Sequence, residues 1–210
     1  MGIAERRLRE KEQRATDIVD AAEKVIFAKG YENATMDEIA EVAELSKGTL
    51  YLYFKTKEEL YLAIALRGNQ ILRKNTLEAI EKEKSGLDKV IACGRAYFQL
   101  YENQRNYFDA LNYMDSKELT PEMMHERHEA FQRNEGVLQL LADIIEQGKQ
   151  DGSIRGDVNA YIQALLIWGQ AMGVIQILAF KGCILEENLE IKQEDMIEEF
   201  FVTIRCSLEP

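Results

Sequence analysis

The sequence predicts an all-α protein of about nine helices: an N-terminal three-helix helix-turn-helix unit, then a larger helical domain. Three observations carry this. Only two prolines occur, Pro121 and the terminal Pro210, and no run alternates apolar and polar residues as a strand does. Two Thr-x-x-Glu pairs, Thr35–Glu38 and Thr56–Glu59, read as capping boxes, in which a Thr oxygen takes a free helix N–H while the Glu reaches back. The run from Val158 to Phe180 holds 23 residues without a charge, a helical length rather than a strand length.

The first helix is expected over about Arg9–Ala28, where Ile18, Ala22, Val25 and Ile26 recur at helical spacing. Gly30 supplies a left-handed stop, with Tyr31 as its apolar follower. Thr35 caps a second helix with Ile39, Ala40 and Val42 as its apolar positions. Ser46 caps a third, whose core side is Leu50 and Phe54, and Thr56 opens a long helix to about Glu83. Between the second and third helices Glu44 occupies the turn; a left-handed backbone there costs a non-glycine residue about 1 kcal/mol. Beyond Lys84 the breaks at 85–86, 120–121, 151–152, 156–157 and 181–182 predict helices near Leu87–Asn103, Asn106–Asp115, Pro121–Gln150, Asp157–Phe180 and Lys192–Ser207. Asp157 is the expected cap of the fourth of these. The domain boundary falls between 1–56 and 57–210.

With 46% hydrophobic and 30% charged residues the composition is that of a soluble globular protein. Cys93, Cys183 and Cys206 are odd in number and far apart, which excludes a disulfide framework and suits a reducing cytoplasm. The start, MGIAERRLREKEQR, has no apolar core for a signal peptide. Net charge is −11, but residues 1–57 account for only −1 of it, and Leu45–Lys57 holds three lysines and no acid. An acidic body repels DNA and leaves contact to one positive patch.

That patch coincides with the third helix. The second helix of a helix-turn-helix enters the major groove and presents its early residues to base edges. Here those are Lys47, Gly48 and Thr49, behind the cap Ser46. Gly48 permits close backbone approach, and Thr49 suits a base edge or thymine methyl. Tyr51 and Tyr53 offer hydroxyls to phosphates. Lys57 and Thr35, each at a helix start, set donors where free N–H groups already favour an anion.

The run DEIAEVAELSKGTLYLYFKTKEEL resembles the DNA-binding domain of the tetracycline-repressor (TetR) family. Ser46, Lys47, Gly48, Thr49, Tyr51, Phe54, Lys57 and Glu58 match its motif. The resemblance is specific over residues 14–62; later helices fit in number and length only. Glu44 stands where the family often has Gly, and Leu52 where many relatives carry a polar or aromatic residue. The resemblance implies a cytoplasmic homodimeric regulator, usually a repressor, released from a double-stranded, pseudo-palindromic operator by a small-molecule effector. An architectural DNA-binding protein of the same fold without an effector is the alternative.

Val158–Phe180 is long enough to span a bilayer, but Asn159, Gln163, Gln170 and Gln176 and the lack of a basic anchor oppose that. A helix apolar all round is instead buried by a partner. The expected dimer surface is Leu165, Gly169, Gly173 and Ile177 with the stripe Ile197, Phe200, Phe201 and Ile204 of the last helix. Large side chains in the middle helices either fill an ordinary core or line a cavity for a hydrophobic or aromatic effector. They are Tyr97, Phe98, Tyr101, Phe108, Leu111, Met114, Met124 and Phe131, with Trp168 and Met172 opposite. His125 and His128 share a helix face but do not form H-E-x-x-H, so a solvated face is expected and no metal. No catalytic set or cofactor motif stands out, and no enzyme activity, cofactor or membrane partner is expected.

Overall fold

The computed structural model describes residues 2–116 and 136–210. Among these residues there are nine helices and no strand: α1 Ile3–Lys29, α2 Met36–Val42, α3 Lys47–Tyr53, α4 Lys57–Ile80, α5 Gly86–Asn103, α6 Arg105–Ser116, α7 Val137–Asp151, α8 Ala160–Leu189 and α9 Gln193–Leu208. They form two compact units. One takes α1–α3, α4 through Gly68, and α6 from Asn106; the other takes α4 from Asn69, α5 and α7–α9.

In the first unit the core is formed by Ile18, Ala22 and Ile26 of α1, Ile39 of α2, Leu50 of α3, Leu60 and Ile64 of α4 and Ala110 of α6, all at most 3% exposed. α1 starts six residues before the expected Arg9. Residues 5–14 are exposed, and this stretch is held by local polar pairs, Arg6 to Glu10 at 2.7 Å and the Gly2 N–H to Glu5 at 3.0 Å. Gly30 ends it with φ +80°, and its N–H donates to the Ile26 carbonyl. Glu44 sits at φ 55°, so the turn carries the anticipated left-handed non-glycine residue, at a cost of about 1 kcal/mol.

The second unit is organised by a close crossing of α5 on α7. A Cβ built on Gly86 lies 2.2 Å from the Gly148 Cα, so the two backbones touch. The start of α5 is secured there three times: Ser85 Oγ accepts from the Asp88 N–H, the Gly86 N–H donates to Asp151 at 2.7 Å, and the Leu87 N–H donates to Ser153 Oγ at 3.1 Å. Asp88 accepts from Ser85 and from Arg205 of α9, and these two donors hold its carboxyl below the ordinary range.

Further helix boundaries differ from expectation. Asn159, not Asp157, caps α8, its Oδ1 accepting from the Ile162 N–H at 3.0 Å. α8 also runs through Lys181-Gly182 to Leu189, stopping where Glu190 turns left-handed at φ 56°. One interior Gly costs only about 1 kcal/mol, and the good helix formers around it outweigh that. The expected helix Pro121–Gln150 is not continuous: α7 begins at Val137, behind Gly136 in extended conformation at ψ 139°, and residues 117–135 lie outside the described residues.

Candidate DNA interface and effector site

The helix-turn-helix is locked by side chains at its ends. The Thr35 hydroxyl accepts from the Glu38 N–H, and the Glu38 carboxylate accepts from the Thr35 N–H at 3.2 Å. The same carboxylate pairs with Lys29 at the end of α1; Lys29, then Thr35, lowers its pKa. Ser46 Oγ accepts from the Thr49 N–H at 3.2 Å, and the two hydroxyls lie 2.8 Å apart. Thr56 caps α4 through the Glu59 N–H, but Glu59 reaches the Lys55 N–H at 2.6 Å instead of Thr56, so the second box is half formed.

Leu50 faces inward, fully buried, so α3 turns Lys47, Gly48, Tyr51 and Leu52 outward. Tyr51 is 47% exposed and Leu52 81%, while Thr49 and Tyr53 are half-buried. Leu52, four residues beyond Gly48, extends this face, and the exposed Lys55 follows the helix after the extended Phe54; neither was among the expected DNA contacts. Lys47 pairs with Asp37 of α2 in an exposed contact worth about 0–1 kcal/mol, which a phosphate readily replaces.

Lys57 is held differently. Its Nζ donates to the carbonyls of Tyr31 at 2.6 Å, Ala34 at 3.0 Å and Glu32 at 3.3 Å, and stands 4.4 Å over the Tyr31 ring. It thereby ties the α1–α2 loop to the start of α4. Lys57→Met is therefore expected to lower stability by about 1.5–3 kcal/mol, the worth of hydrogen bonds to a charged group. Thermal unfolding checks it; an unchanged midpoint makes the lysine a surface residue only.

Tyr31 continues into a cluster. It stacks on Tyr61 at 4.5 Å and meets Tyr113 of α6 at 4.7 Å. Burial pushes the Tyr61 phenol up to about 12. At the other end of α6 the Tyr107 hydroxyl donates to Glu23, which shares Arg67 with Asp20. Gly68 allows this approach: a Cβ there lies 3.2 Å from Tyr107 Cβ.

The large residues expected around an effector fall in different places. Phe108, 5% exposed, and the half-buried Leu111 belong to the first unit. Phe98 is core: 2% exposed, it meets Phe200 at 5.4 Å and Phe201 at 5.7 Å. Tyr101 is 8% exposed beneath the Arg105 guanidinium, and Tyr97, Trp168 and Met172 are half-buried. The Met114 side chain, Met124, Phe131, Met123 and the two histidines lie outside the described residues.

On the α9 stripe expected to face a partner, Ile197, Phe200, Phe201 and Ile204 are 3–8% exposed within the chain itself, where the Phe201 ring fills the space left by Gly94. The outer face belongs to α8. Leu165 is 41% exposed, Leu166 51%, Ile177 43% and Phe180 80%, and nothing lies within 4 Å of a Cβ built on Gly169 or Gly173. α8 is long and apolar enough to cross a membrane by length and composition, but Ala164, Ile167, Ala171, Ile175 and Leu178 are buried against its own subunit.

Residues 18–64 match the model of the tetR family of bacterial regulatory proteins. The chain is 25% identical over 162 residues to the Fatty acid metabolism regulator protein of Bacillus subtilis (strain 168), covering 77% of this chain and 81% of that protein. Its fold is similar to the transcriptional regulator FadR from Bacillus subtilis in complex with stearoyl-CoA, with TM-score 0.67, 20% identity, and 91% and 98% of the two chains covered. It is also similar to AibR in complex with isovaleryl coenzyme A and operator DNA, with TM-score 0.62, 21% identity, and 90% and 97% covered. A helix-turn-helix unit carried by a long helical body defines a DNA-binding transcriptional regulator. Its helix-turn-helix unit, residues 18–64, is that of the tetR family of these regulators.

Proposed function

We propose that this protein is a cytoplasmic, homodimeric repressor that leaves its operator when an acyl effector binds the α-helical body. The observation that carries the DNA reading is the outward face of α3, set against the fully buried Leu50. In this reading Lys47, Gly48, Thr49 and the exposed Leu52 meet base edges, Leu52 being suited to a thymine methyl. Thr35, Ser46, Tyr51, Tyr53 and Lys55 position the phosphates, and Lys57 acts by fixing the loop and adding charge at the start of α4. The exposed apolar face of α8 pairs with its copy about a twofold axis, which sets two heads on a pseudo-palindrome. The stearoyl-CoA and isovaleryl coenzyme A bound in the two similar structures support an acyl effector. Its candidate contacts in the second unit are Tyr97, Tyr101, Trp168 and Met172.

The test begins by selecting bound duplexes from a random library with the full-length protein. Tyr51→Ala is expected to weaken the selected site about ten-fold or more at moderate salt, leaving the circular dichroism unchanged. Lauroyl-CoA is expected to release the wild-type complex. Equal binding by Tyr51→Ala sinks the head assignment, and a complex indifferent to acyl-CoA favours the architectural alternative. Moving a repressor from mostly bound to mostly free takes about 5 kcal/mol of differential affinity between the two states.

A further inference from the structure

Among the described residues Thr76 is the one polar side chain that is buried, at 0% exposure, and its hydroxyl has no hydrogen-bond partner. A threonine inside a helix normally donates to the carbonyl four residues back. Thr16 and Thr203 do so, at 3.1 and 3.0 Å. Thr76 does not. Its neighbour Cys93 on α5 is a buried thiol, pushed up to about 12 by burial and drawn down by the Thr76 hydroxyl beside it, and sulfur is too weak a partner to replace the one the oxygen lacks.

One turn earlier on the same face of α4 stands Arg73. The residue is part-exposed, but its Nε is shut off from solvent and likewise has no partner. Arg67, Arg95 and Arg205 each hold carboxylates at 2.7–2.9 Å, whereas no carboxylate among the described residues bridges Arg73. A guanidinium N–H and a hydroxyl left unpaired in a protein interior are costly, and no group among the described residues offsets them. Residues 73 and 76 are three apart, so one small acceptor group reaches both.

We propose that Arg73 and Thr76 are the polar anchor of the effector site and take up an anionic oxygen group, a carboxylate or a phosphate, at the head of an acyl chain. The proposal rests on the acyl-effector reading above and specifies the end of the ligand that the apolar wall cannot hold. The Arg73 Nε–H and the Thr76 hydroxyl both donate to the ligand's oxygens, and no bond is made or broken.

The experiment compares full-length wild type, Arg73→Met and Thr76→Val, first without ligand. Both substitutions remove an unpaired polar atom at similar volume, so both are expected to unfold at the same temperature as wild type or a few degrees higher, as for a site that trades stability for function. A clear fall for Arg73→Met overturns the anchor, because it makes the arginine a structural partner. Calorimetric titration with laurate, lauroyl-CoA and 1-dodecanol then reads the ligand. Wild type is expected to prefer at least one of the two anions over the alcohol, laurate marking a carboxylate source and lauroyl-CoA alone a phosphate source. Arg73→Met is expected to lose about ten- to hundred-fold in affinity for the preferred anion and less than two-fold for the alcohol. A preference for the anion that survives in Arg73→Met, or no preference in wild type, overturns the anchor. If wild type binds none of the three, the acyl reading falls, and the stability comparison alone then decides on Arg73.

Discussion

Gly86→Ala is expected to cost the body about 3–5 kcal/mol, more than ordinary overpacking, because the obstacle is main chain. The added Cβ lies 2.2 Å from the Gly148 Cα and 2.4 Å from its nitrogen. A side chain in its place rotates away; a helix backbone has to be pushed off. Moving α5 outward strains its bonds to Asp151 and Ser153 and separates the buried Leu87 and Val90 from α7. A chain of this size loses roughly 2–4 °C per kcal/mol, so the unfolding midpoint is expected to fall by about 10 °C. Urea titration provides the free energy, and a loss below about 1 kcal/mol means that the crossing relaxes far more easily than a packed interior does.

Gly173→Leu is expected to do the opposite kind of damage: a folded subunit that no longer pairs. Gly169 and Gly173 lie in the middle of α8 with nothing beyond the neighbouring helix backbone within 4 Å of a Cβ built on them, and each costs about 1 kcal/mol relative to alanine. An exposed Gly169 and a half-buried Gly173, flanked by exposed Leu165, Leu166 and Ile177, make sense where another backbone comes close. A leucine there holds that backbone away while improving the helix. Sedimentation is expected to show a monomer with unchanged helix content, and operator affinity is expected to drop by more than about a hundred-fold when one head binds alone. A dimer that persists at micromolar concentration removes α8 from the interface.

What the sequence disclosed depends on range. Thr35 with Glu38, Ser46 with Thr49, and the left-handed Glu44 are decided within four residues, and all were readable. The half-formed box at Thr56 was not, because Glu59 had a nearer donor in the Lys55 N–H. Periodicity showed that Ile197, Phe200, Phe201 and Ile204 share a face but not what covers it; Gly94 and Phe98, about a hundred residues earlier, make that an internal contact. Lys57 looked like a free cation because its three acceptors are main-chain carbonyls more than 20 residues away, invisible in any side-chain pattern. Arg73 and Thr76 went unnoticed for a similar reason: a missing partner is a property of the folded surroundings.

The membership of α6 has a consequence for how the protein is made. Tyr107 and Tyr113 dock on Glu23, Phe27, Tyr31 and Tyr61, so the unit that bears the helix-turn-helix includes residues beyond 105. On the ribosome α1–α3 emerge first, at about 5–20 residues per second. All of α5 must follow before the last supporting helix appears. During that interval the nascent head is incomplete and exposes the Tyr31–Tyr61 stack. Closure of the head is thus a step of synthesis timed by α6, and it joins the two ends of a loop that contains an entire helix of the other unit.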